Sequence, residues 1–228
     1  MWFLRFLIGL ALLPLAAASL LALTDLAAPL GLLHREPAWL TGGFAAWCVV
    51  WLVLPRPVMV YVLGHELTHA LWAHLMGAEV SGLSVGRDGG SVTVSKSNLW
   101  IALAPYFFPL YTVLLILGAA IAGLFWDLSP WAHWLLAAVG VTWGFHFTFT
   151  IQMLTVGQSD LRPYGTLFSL VVIVVMNAAG LMLGVIATGP ATLEQAVERC
   201  SVRTPQAYAW TAEMAESAWE RTTGEAYR

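Results

Sequence analysis

The chain has 228 residues, of which 59% are apolar and 10% charged, and its mean hydropathy is +0.76. A soluble domain of this length carries about 25% charged residues, so the composition points to a multi-pass integral membrane protein, with the bacterial cell membrane as the expected location. With a net charge of −3 nothing points to nucleic acid, and no nucleic-acid partner is expected; two cysteines make no disulfide framework.

Stretches of about 20 apolar residues mark bilayer crossings, and six are expected, over roughly 4–24, 38–54, 58–77, 99–125, 131–156 and 164–187. The first, within "MWFLRFLIGLALLPLAAASLLALTDLAAP", pairs an early arginine with a long apolar run, as a signal peptide does. The run exceeds the 7–15 residues typical of a signal core, so it is expected to remain as a helix. The segment "PRP" at Pro55–Pro57 separates the second span from the third, because proline disrupts helix continuation and constrains the residue before it.

The third span contains "GHELTHALWAH", with His65, Glu66, His69 and His74 in an otherwise apolar helix. After it the periodicity changes. The segment "EVSGLSVGRDGGSVTVSKS" alternates like a strand around the turn-forming "RDGG", which predicts a short β-hairpin. His146 lies deep in the aromatic fifth span, and Asp160 lies in "VGQSDLRPYG" between the fifth and sixth, where Pro163 and Gly165 interrupt helix continuation. His34 and His133 fall near span ends, where solvent makes histidine unremarkable.

The fold expected is therefore an all-α membrane protein of about six transmembrane helices, with a short β-hairpin after the motif helix. Residues 1–188 form the membrane domain, with a core at about 58–170, and residues 189–228 form a polar helical tail. Two short helices are predicted in the tail, one starting at the capping box "TLEQ" (Thr192–Gln195) and one at Thr204–Pro205. Trp210, Met214 and Ala218 share one face of the second, a surface on which a partner protein could dock. By the positive-inside rule, Arg35, Arg87, Lys96 and Arg162 favour a cytoplasmic side that holds both the hairpin and the 157–163 loop.

His65-Glu66-Leu67-Thr68-His69 reads H-E-x-x-H. On a helix, residues i and i+4 share a face with Cβ atoms about 5–6 Å apart, so both imidazoles can reach one Zn²⁺. Glu66 is turned from that line but within reach of an activated water, the place for a general base. Ionisable groups in hydrocarbon rarely persist without a function, which sets this reading above chance. A catalytic zinc takes three protein ligands and keeps one open position. The longer metzincin spacing would place a third histidine at position 75, which is leucine, and His74 falls one residue short. Asp160 is the leading candidate for the third ligand, its other reading being a helix N-cap. His146 is the rival, with contact to a substrate carbonyl or oxyanion as its alternative role.

"GHELTHA" (Gly64–Ala70), "MGAEVSGLSVGRDGGSVTV" (Met76–Val94) and "SDL" (Ser159–Leu161) together resemble the site-2 protease family of intramembrane zinc metalloproteases. The resemblance covers roughly residues 58–170 and has the character of a divergent branch. It implies zinc held by His65, His69 and Asp160, water activated by Glu66, and an unwound membrane-protein substrate engaged around Gly89, Gly90, Val92 and Val94. "APYFFP" (Ala104–Pro109) is loosely similar to the segment that begins the family's next core helix. The family usually reaches Leu-Asp-Gly through an asparagine- and proline-rich approach; here the order is Asp160-Leu161, and 145–165 contains no asparagine. The activity expected is zinc-dependent hydrolysis of a peptide bond in or near the bilayer. A non-catalytic scaffold with a structural zinc is the alternative. A prenyl-protein protease relative would need a glutamate ligand, and none lies between Glu79 and Glu194.

Overall fold

The computed structural model describes residues 2–30, 35–86, 89–156, 158–189 and 191–226. Among them, eight α-helices and one two-stranded antiparallel sheet make up the regular structure, joined in places by short 3₁₀ turns. In chain order these are α1 (Trp2–Ala27), α2 (Arg35–Val53), α3 (Val58–Leu75), β1 (Val80–Gly86), β2 (Gly89–Val94), α4 (Leu99–Phe107), α5 (Leu110–Gly123), α6 (Ala132–Val156), α7 (Thr166–Thr188) and α8 (Leu193–Ala226). His34, and Arg87 and Asp88 of the expected turn, lie outside the described residues.

Three stretches are long and apolar enough to cross a bilayer: Trp2–Ala27, Ser129–Val156 and Thr166–Ala187. The bent pair α4 and α5 makes a fourth if counted as one crossing. Two of the six expected spans do not reach that standard. The apolar part of α2 is the shorter Pro37–Val53, and α3 carries three histidines and Glu66, which lower its hydropathy. The expected span over 99–125 is broken by a bend of 75°, because Pro109 directly precedes α5 and has no N–H to continue the ladder.

The chain divides into two compact units, residues 31–163 and residues 1–30 with 164–228. Within the first, α2 and α6 cross closely through glycines. A Cβ on Gly43 would strike the Ala137 carbonyl, and one on Gly140 would strike the Leu40 carbonyl. Small residues let helices approach in this way where water does not drive association. Trp47 Nε1–H donates to Thr148 Oγ1 at 2.9 Å across the same contact. Tyr61, Val62, Phe145 and Phe149 form the buried cluster that fastens α3 to α6.

The expected hairpin is present, with Val80 opposite Val94 and Gly86 opposite Gly89. The register slips between Val80 and Gly82, as a β-bulge would produce. Gly89 has φ of 141°, outside the range of residues with a Cβ.

In the second unit, Ala22 and Leu26 of α1, Ala178 and Met182 of α7 and Ala196 of α8 form a buried cluster. The Thr192 capping box forms in both directions: Thr192 N–H donates to Gln195 Oε1 at 3.0 Å, and Gln195 N–H donates to Thr192 Oγ1 at 3.2 Å. The second tail helix does not begin separately at Pro205. α8 runs unbroken for 34 residues with that proline inside it. Its partners hold it through this point: Arg203 forms a two-pronged ion pair with Asp25, at 2.6 and 2.8 Å, and Tyr208 Oη–H donates to the Ala11 carbonyl at 2.9 Å.

Candidate metal centre

α3 places His65 and His69 one turn apart on one face. Their Nε2 atoms stand 3.2 Å apart. Asp160 reaches the same point from the 3₁₀ turn Ser159–Tyr164, with Oδ2 3.4 Å from His65 Nε2 and 3.6 Å from His69 Nε2. Three potential ligand atoms thus form a nearly equilateral triangle. Ligands bound at about 2.0–2.1 Å to a tetrahedral ion stand about 3.3–3.4 Å apart, whereas around an octahedral ion at the same bond length they would be about 2.8–3.0 Å apart. The observed spacing suits a tetrahedral ion of that size and equally a larger octahedral ion with bonds of about 2.3–2.5 Å. His65, His69 and Asp160 could therefore hold a metal ion, and the residues present fit one.

The groups behind the triangle orient it. His69 Nδ1–H donates to the Ile101 carbonyl of α4 at 2.8 Å, which leaves the Nε2 lone pair facing Asp160. Tyr106 Oη–H donates to Asp160 Oδ2 at 2.8 Å. Burial opposes the charged form of Asp160, but hydrogen bonds with His65, His69 and Tyr106 outweigh it and hold the carboxyl well below the usual carboxylate range. His65 Nδ1 lies 3.0 Å from Tyr61 Oη. Asn98 accepts the Ile101 N–H at 3.0 Å as the cap of α4, fixing the turn that presents the Ile101 carbonyl.

Glu66 is buried and lines a cavity of about 550 Å³ together with His65, His69 and Asp160. Gly89, Gly90, Val92 and Val94 line the same cavity, so the hairpin forms one of its walls. The approach is close: a Cβ on Gly90 would fall 2.7 Å from Glu66 Cγ and 2.7 Å from Val62 Cγ1.

Asp160 does not cap the last span. Gly165, with φ of 87°, occupies the position before α7. His146 lies outside the three-ligand group. It is buried on α6 and borders a separate small crevice beside His65, where its Nε2 has no hydrogen-bond partner among the described residues. His74 is exposed near the end of α3. The sequence reading missed Tyr61 and Tyr106. Tyr61 was within reach of it, standing one helical turn before His65, but nothing in sequence ties Tyr106 to a carboxylate 54 residues away.

No protein-family model matches the chain, and neither a curated protein nor a solved structure matches it.

Proposed function

We propose that this chain is an intramembrane zinc metalloprotease of the site-2 protease type, hydrolysing a peptide bond in or near a membrane segment of a protein substrate. The observation that carries the reading is the triangle of His65 Nε2, His69 Nε2 and Asp160 Oδ2, with edges of 3.2, 3.4 and 3.6 Å, beside a buried glutamate. Two imidazoles and a carboxylate are a donor set that catalytic zinc uses. Among the described residues the group has three members, which leaves a fourth position for chemistry and weighs against a closed structural site.

Zinc bound there would lower the pKa of a water ligand to about 7 and polarise the scissile carbonyl. Glu66 accepts the proton that water loses as its oxygen bonds to the carbonyl carbon. It then delivers that proton to the amide nitrogen as the C–N bond breaks. Among the described residues β2 has only β1 as a strand neighbour, so its other edge can take an extended peptide by strand addition. Such pairing holds the substrate unwound, with its carbonyl exposed rather than bonded within a helix. In a membrane, α1, α2, α3, the α4–α5 pair, α6 and α7 supply six crossings, and the cell membrane of a bacterium is the setting we assign.

Replacing Glu66 tests the chemistry separately from the metal. In liposomes carrying a candidate membrane substrate, Glu66→Gln is expected to lower cleavage about 10²–10⁴-fold while zinc content stays at one per chain. Unchanged cleavage would remove Glu66 as the base.

A further inference from the structure

We propose that Tyr61 is the positioning residue for His65, accepting its Nδ1–H and so presenting the Nε2 lone pair to the metal; this rests on the zinc reading above. The two motif histidines are supported differently. For His69 the outer partner is the main-chain carbonyl of Ile101, an obligate acceptor, at 2.8 Å. For His65 it is the Tyr61 hydroxyl at 3.0 Å, the one hydrogen-bond partner of that phenol among the described residues. A hydroxyl both donates and accepts. Only when it accepts does His65 carry its proton on Nδ1, and only then is Nε2, 3.2 Å from His69 Nε2 and 3.4 Å from Asp160 Oδ2, free to ligate.

The phenol is held where this bond needs it. Tyr61 precedes His65 by one turn of α3, so the two side chains meet on one face. Tyr61 is 6% exposed, and its ring stacks on Phe149 of α6, with centroids 4.6 Å apart and planes inclined by 8°. Aromatic packing therefore fixes the ring while the hydroxyl is left to serve the imidazole. Outer partners of metal-bound histidines are worth about 10–100-fold in metal affinity.

The test is zinc titration of the full chain in detergent against a competing chelator, with Co²⁺ absorption as a second readout. Tyr61→Phe keeps the ring and its stack, and is expected to raise the zinc Kd about 10–100-fold and to change the Co²⁺ ligand-field spectrum at unchanged helix content. Tyr111→Phe is the control. It loses a hydrogen bond to the Val60 carbonyl on the same helix rather than one to a ligand, so its zinc affinity should match wild type. A Tyr61→Phe protein with wild-type zinc affinity and Co²⁺ spectrum would overturn the proposal. So would loss of helix content in that variant, since the phenol would then serve the fold. Failure of the zinc reading looks different: wild type and His65→Ala would bind zinc alike.

Discussion

Two polar groupings sit among the apolar helices, and they differ in what their atoms are paired with. In the unit formed by residues 1–30 and 164–228, Asp25 and Arg203 meet in a fork at 2.6 and 2.8 Å, and each neutralises the other. In the unit of residues 31–163, His65, His69 and Asp160 turn electron-donating atoms toward one point. The first arrangement is complete; the second converges on a place that could hold a cation. Charge in an apolar setting is therefore a weak guide to function on its own. The stronger sign is several acceptors aimed at one another at ligand spacing.

The largest effect expected from breaking this contrast is at Asp160. Asp160→Ala removes one corner of the triangle and should abolish stoichiometric zinc binding and cleavage together. His146→Ala should keep zinc at one per chain, since His146 stands outside the group. Elemental analysis of both purified variants decides it. Zinc lost from His146→Ala and kept in Asp160→Ala would reverse the ligand assignment.

How far the sequence carried this site depends on whether each part is local. His65 and His69 were legible as a pair because helical periodicity alone brings i and i+4 together. The hairpin was legible from its alternation and its turn. Asp160 was legible only as a candidate, because choosing between it and His146 requires knowing which one α3 faces. The Ile101 carbonyl was invisible in principle, since a main-chain acceptor has no residue signature. In the fold, "APYFFP" held the cue for the 75° bend in its second proline, yet the apolar run around it reads as one span. Pro205 misled in the other direction. Proline in a helix interior costs about 3 kcal/mol, and here contacts made by Arg203, Ala207 and Tyr208 keep the helix continuous across it.

A smaller effect sharpens the role of the hairpin. Gly90 has no room for a side chain: an added Cβ would meet Glu66 Cγ and Val62 Cγ1 at 2.7 Å and the Ser84 carbonyl oxygen at 2.9 Å. Gly90→Ala must therefore displace β2 or Glu66. A misplacement of about 1 Å at a reacting group can cost about 10²-fold, so a fall in cleavage of that order is expected with zinc binding intact. Gly82→Ala on β1 is the matched control, because its Cβ would approach Thr93 Oγ1 only to an ordinary 3.5 Å. Equal activity in the two variants would detach the hairpin from catalysis.

The smallest effect belongs to the completed pair. Asp25 and Arg203 have side chains 26% and 34% exposed, so solvent screens much of their attraction, and such pairs contribute little to stability. Its geometry is the favourable one, because the guanidinium bonds both carboxylate oxygens. Arg203→Met keeps most of the side-chain bulk and removes the fork. In detergent its unfolding midpoint should fall by about 2–4 °C, with zinc content and cleavage at wild-type levels. Loss of zinc from Arg203→Met would show that the ion pair supports the metal centre, and the separation of a structural from a functional polar cluster would no longer stand. Unchanged zinc with the lower midpoint would confine the pair to fastening α8 on α1.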